Sequence, residues 1–163
     1  MKTYKFALLF YSIFFVHNYV AAQGNPQVRD RDILEKQKSV LIKAYPHIFE
    51  TADIKDVIKI SGQHSKVIYI RDSVCHESYI SSGRKDMLLL ETAALINTDL
   101  VPEIVKDAFK DSRYKNYEIS RVFIVSRPYG ERLYRLDIIN RDDKNDIKEI
   151  YFDKSGHPGS SPF

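Results

Sequence analysis

The sequence of 163 residues predicts an α+β fold built as two tandem repeats, each one helix packed on an antiparallel three- or four-stranded meander. Three observations predict it. Two segments place apolar residues at helical spacing, the segments after each alternate with a period of two, and the later half repeats the earlier's order of elements at offsets of 64 to 72 residues.

The first helix starts near Asp32, where Ile33, Leu34, Gln37, Val40, Leu41 and Ala44 follow the 3, 4, 7 spacing of one face, and Pro46 marks its end. The period then changes to two. Val57–Ile60 and Lys66–Ile70 read as a hairpin about the polar turn Ser61–Ser65, His76–Ser81 as a third strand, Ser82–Lys85 as a turn, and Asp86–Thr92 as a fourth strand. Val101–Asp111 forms the second helix, with Asp99 as its N-cap and Pro102 in the first turn, where a missing N–H costs nothing. Strands follow at Tyr117–Ser126, Arg132–Asn140 and Ile147–Asp153, broken by the turns Arg127–Gly130 and Arg141–Asn145. Ser155–Phe163 holds too much Gly and Pro for a strand.

The repeats are therefore expected at residues 32–92 and 99–156, with an irregular tail at 157–163. A shift of 64 carries Leu41 onto Val105, Ala44 onto Ala108 and Tyr45 onto Phe109; a shift of 65 carries Ile54 onto Ile119, Val57 onto Val122 and Ser61 onto Ser126. A shift of 72 aligns Tyr79 with Tyr151 and Ile80 with Phe152.

Residues 1–22 read as a secretory signal peptide. Lys2 and Lys5 supply its basic start, Phe6–Val16 its apolar core, and Val20-Ala21-Ala22 a small-residue site for cleavage before Gln23. A membrane span needs roughly 20 predominantly apolar residues, and His17 and Asn18 interrupt this run, so no stable anchor is expected after cleavage. A lipid anchor needs a cysteine at the cleavage point, and Cys75, the one cysteine, lies far downstream. Residues 23–31 form a flexible leader. The expected location is periplasmic or secreted.

Without the leader the charge is balanced, 23 basic against 22 acidic residues, which argues against a nucleic-acid partner. A single cysteine excludes an internal disulfide, so stability must come from packing and the sheet ladders.

Leu100-Val101-Pro102-Glu103-Ile104-Val105-Lys106-Asp107-Ala108-Phe109, an aromatic-rich meander, and Lys148-Glu149-Ile150-Tyr151-Phe152-Asp153-Lys154-Ser155-Gly156 together resemble the PepSY-like repeat of exported, beta-lactamase-inhibitor-like bacterial proteins. The junction from Leu88–Thr92 into Asp99–Pro102 is similar to the way tandem copies are joined there. The first copy matches less closely, since Lys36–Tyr45 lacks the initial proline, and the second departs after Gly156, where His157-Pro158-Gly159 replaces a strand. The resemblance implies a helix on one face of an antiparallel sheet in each copy and no enzymatic activity. It also implies a sheet surface and loops that grip a partner protein.

No catalytic residue, metal or cofactor emerges from the sequence. Cys75-His76-Glu77 places a nucleophile beside a base, but neighbours in extended chain point to opposite faces. His47, His64, His76 and His157 show none of the short spacings of zinc sites, and Asp142–Asp146 lacks the Gly and closing Glu of an EF-hand loop. There is no Gly-rich phosphate loop.

Binding is the remaining reading. By alternation Ile68, Ile70, Tyr134, Leu136, Ile138, Ile150 and Phe152 face the helices, leaving Tyr69, Arg71, Arg135, Asp137, Glu149 and Tyr151 on the opposite face. Tyr and Arg anchor interfaces more often than other residues, so these six are the candidate contacts to an envelope or extracellular protein. A tyrosine-lined groove for a small ligand or peptide is the alternative, and a hydrolase built on Cys75 with His64 or His76 a third.

Overall fold

The computed structural model describes residues 31–83, 86–128, 130 and 132–163. The predicted signal peptide and nearly all of the leader lie outside these residues, as do Arg84, Lys85 and Tyr129 of two predicted turns. In chain order the elements are α1 (Arg31–Ala44), α2 (Pro46–Phe49), β1 (Asp53–Lys59), β2 (His64–Arg71), β3 (Val74–Ser82) and β4 (Met87–Ile96). A 3₁₀ turn (Thr98–Leu100), α3 (Glu103–Lys110), β5 (Tyr117–Ser126), β6 (Leu133–Asn140), β7 (Ile147–Asp153) and β8 (Pro158–Gly159) complete them.

All eight strands belong to one antiparallel sheet in sequence order. This corrects the expected fold: a single eight-stranded sheet with three short helices stands in place of two tandem helix-on-meander repeats. The join is β4, which runs four residues past Thr92 and pairs with β5 from Thr92↔Ser126 to Ile96↔Val122. Ala93 and Ala94 have weak strand propensity, which hid the extension. Ala93 is fully buried opposite Val125, so packing decides what propensity does not.

Two apolar clusters lie on the helix-covered face. Leu41 of α1 and Ile48 and Phe49 of α2 pack on Ile54, Val67, Tyr69 and Ile80. Tyr45 locks this corner to β4, its hydroxyl donating to Met87 O (2.6 Å) and accepting from Leu89 N (2.8 Å). Val101, Val105 and Phe109, four residues apart and so on one stripe of α3 and its approach, pack on Val122, Leu136, Ile138 and Phe152. The opposite stripe is charged, with Lys106 paired to Glu103 and Lys110 to Asp107.

The ends of α3 differ from expectation. Pro102 itself is the N-cap, and Asn97 caps the preceding 3₁₀ turn by accepting from Asp99 N (3.0 Å), so Asp99 is a capped residue and no cap. A proline cap offers no side-chain acceptor, and the tight turn before it takes up the polar work. In the tail, Pro158 and Gly159 do form a strand, pairing with Phe152 and Tyr151. At a sheet edge the missing proline N–H faces away from the ladder and costs nothing.

Gly156 turns the chain from β7 to β8 at φ +81°, and a Cβ there would stand 2.9 Å from Ile104 O and 3.2 Å from Ala108 Cβ. The turn thus presses on the backbone of α3. Gly156→Ala is expected to cost about 1–3 kcal/mol, since left-handed strain and a backbone clash add. A urea melt followed by circular dichroism measures it, and an unchanged midpoint would show that the turn moves off the helix freely.

Candidate functional site

The sheet face away from the helices carries Lys66, Ile68 and Ile70 of β2, Cys75, Glu77 and Tyr79 of β3, and Glu91, Ala93 and Leu95 of β4. Arg121, Phe123 and Val125 of β5, Leu133, Arg135 and Asp137 of β6, and Glu149 and Tyr151 of β7 complete it. Lys66 of β2 nevertheless bonds Glu149 of β7 at 2.7 Å, and the Tyr79 hydroxyl of β3 donates to both oxygens of Glu149 (2.7 and 2.8 Å). Five inter-strand steps are about 24 Å on a flat sheet, more than two extended side chains span. The face is therefore concave, curled until β2 and β3 confront β7.

The curl buries a charge network. Glu77, fully buried, meets Arg135 Nη2 (2.5 Å), Arg121 Nη1 (3.2 Å) and Lys66 Nζ (3.3 Å). Asp137 meets Arg121 Nη2 (2.5 Å) and Arg135 Nε (3.0 Å), and the Arg135 guanidinium carbon lies over Phe123, 4.0 Å from the ring centre. Three cations thus face three carboxylates, Glu77, Asp137 and Glu149. Balance matters because isolated buried charge is prohibitively costly. Three of the innermost atoms, Glu77 Oε1, Arg135 Nε and Asp137 Oδ1, are held by charge at these distances and not by well-aligned hydrogen bonds.

The carboxylates differ. Burial alone would raise Glu77, but Arg135, Lys66 and Arg121 outweigh it and hold it down at about 2. Burial likewise opposes the ionised Glu149, yet Arg135 and Lys66 keep it below the usual range. Asp137 goes the other way: burial raises it, the two arginines do not fully compensate, and Glu77 and Glu149 push it further up. Arg135 stays charged, since the carboxylates around it outweigh its desolvation.

A second arm reaches the chain's last residues. Arg127, just after β5, is gripped by Glu91 (Nε 3.1 Å, Nη2 3.0 Å) and lies over the Tyr151 ring, whose hydroxyl also donates to Glu91 (3.1 Å). Its Nη2 donates as well to Ser160 O at 2.7 Å. Beyond, Phe163 meets Tyr79 edge-on and His64 at a tilt, both with ring centres 5.0 Å apart.

Of the six predicted contacts, the structure brings Arg135, Asp137, Glu149 and Tyr151 together on the concave face, three of them buried and Glu149 with a side chain 26% exposed. Tyr69 and Arg71 are elsewhere. Tyr69 is buried under α2 against Phe49, its hydroxyl meeting Ser78 Oγ, and half-buried Arg71 points to His47 O at 3.5 Å on the same side. The partition of β2 is thus inverted, with Ile68 and Ile70 on the concave face. The reason is that both sides of β2 are buried, so Lys66 to Ile70 is apolar on each side and alternation carries no direction. The other five predicted inward residues, Tyr134, Leu136, Ile138, Ile150 and Phe152, do pack in the cluster beneath α3.

Sequence reasoning missed Lys66, Glu77, Tyr79, Glu91, Arg121 and Arg127. One signal was available: charged residues at every second position of otherwise apolar strands mark a face that is buried and paired. Cys75 and His76 point to opposite faces, His76 stacking on Tyr69 at 5.2 Å while burial and Glu77 push the Cys75 thiol up to about 11. A thiol so raised is a poor nucleophile at neutral pH. Asp146 of the acidic loop is occupied by Lys148, Tyr117 and Asn140, whose hydrogen bonds lower it to about 2.

No protein-family model and no curated protein matches the chain. Solved structures do. A DUF2874 family protein from Bacteroides uniformis has TM-score 0.53 at 17% identity over 72% of this chain and 83% of its own. A Bacteroides eggerthii protein named for a periplasmic location has TM-score 0.53 at 14% identity over 72% and 82%. A BLIP-like protein from Bacteroides fragilis has TM-score 0.49 at 19% identity over 75% and 82%. The first two likenesses establish a shared fold.

Proposed function

We propose that the chain is an exported binding module that engages an envelope or extracellular protein through the rim of its concave sheet face. One observation carries the reading: Arg121, Arg127 and Glu149, from or beside two strands, stand at the accessible edge of one inward-curved surface and are fixed there by ion pairs and hydrogen bonds to the buried Glu77, Asp137, Glu91 and Tyr79. Residues already ordered lose little entropy on binding, and Tyr and Arg are the side chains that anchor interfaces best. Export is supported by the basic, apolar and small-residue order of residues 1–22 and by a fold shared with a protein named periplasmic. The resemblance to PepSY-like, inhibitor-like proteins points to the same class of partner. No helix among the described residues is long and apolar enough to cross a membrane.

Capture from an envelope fraction tests the proposal. Arg127→Gln and Glu149→Gln remove the most accessible charges of the rim, the first by a shorter polar side chain and the second isosterically, whereas Ile104→Ser on exposed α3 is the control. The expected result is one band retained by the parent and control chains and lost by both rim variants. A band retained by the rim variants, or lost by the control alone, would overturn the assignment to this face.

A further inference from the structure

We infer that the ground between Arg127 and the His64–Tyr79 pair is a seat for a short peptide segment carrying an aromatic side chain, and that residues Ser160–Phe163 are its intramolecular occupant. The inference rests on the binding reading above and names the chemistry the face selects. The tail after β8 has no strand pairing, and Phe163 N donates to Ser161 Oγ at 3.4 Å. Its two ends are held differently from its middle. At one end Ser160 O accepts from Arg127, whose guanidinium is already aimed by Glu91 and Tyr151. At the other, Phe163 is clasped by the edge of Tyr79 and by His64. The seat thus reads one backbone carbonyl and an aromatic ring three residues further on.

Both elements of the seat are built without the tail. Tyr79 is oriented by Glu149, itself tied to Lys66, and Arg127 by buried Glu91. Phe163, by contrast, remains 53% exposed, which makes it a shallow plug and not a core residue. A backbone carbonyl that accepts from arginine carries no sequence information, whereas an edge-to-face ring contact selects an aromatic. A partner segment with an aromatic three residues after a free carbonyl therefore competes directly with the tail. The tether gives the tail a millimolar effective concentration, so it screens out weak peptides and yields to strong ones.

The chain contains no tryptophan, so Phe163→Trp in the 163-residue chain places a single indole reporter in the seat. The probes are the synthetic peptides Ser-Ser-Pro-Phe and Ser-Ser-Pro-Ala. Displacement is expected to shift the indole emission saturably to the red with the first peptide and not with the second. In the Phe163→Ala chain the labelled Phe peptide should bind roughly tenfold more tightly than in the parent, because the competitor is gone. Arg127→Gln in that background should remove the gain. An emission unmoved by millimolar peptide overturns the seat, and so does equal affinity for the parent and Phe163→Ala chains. Loss of envelope capture without loss of peptide binding would instead overturn the protein-binding reading and leave the seat standing.

Discussion

Replacing Arg135 with Ala is expected to destabilise the protein by about 3–5 kcal/mol, the range for breaking a buried ion pair from one side. Arg135 is fully buried, contacts Glu77 and Asp137 directly, and covers Phe123. Its removal leaves Glu77, Asp137 and Glu149 facing only Lys66 and Arg121, a buried net charge of one. The double change Arg135→Met with Glu77→Gln removes one charge of each sign and should lose much less than the two single changes together. Urea melts of the three variants decide between a charge-balance role and simple volume loss. Additive losses, or an Arg135→Ala cost below about 1 kcal/mol, would mean that solvent enters the concavity and compensates.

The same residue shows how far the sequence could be read. Strands β5 and β7 stand where alternation and turn residues predicted them, residue for residue, because their bounding turns and short runs rich in β-branched and aromatic residues are local signals. The joining of the two halves was not legible, because it depends on Ala93 and Ala94, whose strand state is decided by Val125 and Ile124 across the ladder. Nor was the turn Asp72-Ser73, which takes two positive φ angles without glycine and sets the register of β2 on β3. For the site, alternation correctly put Arg135, Asp137, Glu149 and Tyr151 on one face, but it could not tell an exposed face from one closed by curvature. Burial of that face is a non-local property: it follows from Lys66 and Tyr79 meeting Glu149 across the bend. The charges that alternation offered as contacts to a partner are mostly the fold's own internal partners, and only their rim is left for binding.

Acid is expected to unfold the protein through Glu77. The carboxyl sits near 2 in the fold against about 4.5 when unconstrained, because three cations outweigh its desolvation. A depressed acid stabilises above its unfolded value, so this contribution is present in full above about pH 5 and lost as pH falls toward 2. The shift corresponds to about 3 kcal/mol, and Glu149, lowered for the same reason, adds to it with the same sign. Asp137 and Glu91 carry the opposite sign. Burial raises both, so the folded protein takes up these protons before the unfolded chain does, and mild acid favours the fold. The urea midpoint should therefore hold or rise from pH 7 to about 5 and fall steeply below about 4.5. Glu77→Gln should start lower at neutral pH, where Arg135 loses its closest anion, and should lose the steepest part of the acid limb. A parent-like acid limb in that variant would place the acid sensitivity outside the network. A flat profile in the parent would mean that the three cations do not hold Glu77 ionised, and that the concave face is wet enough to neutralise its own charges.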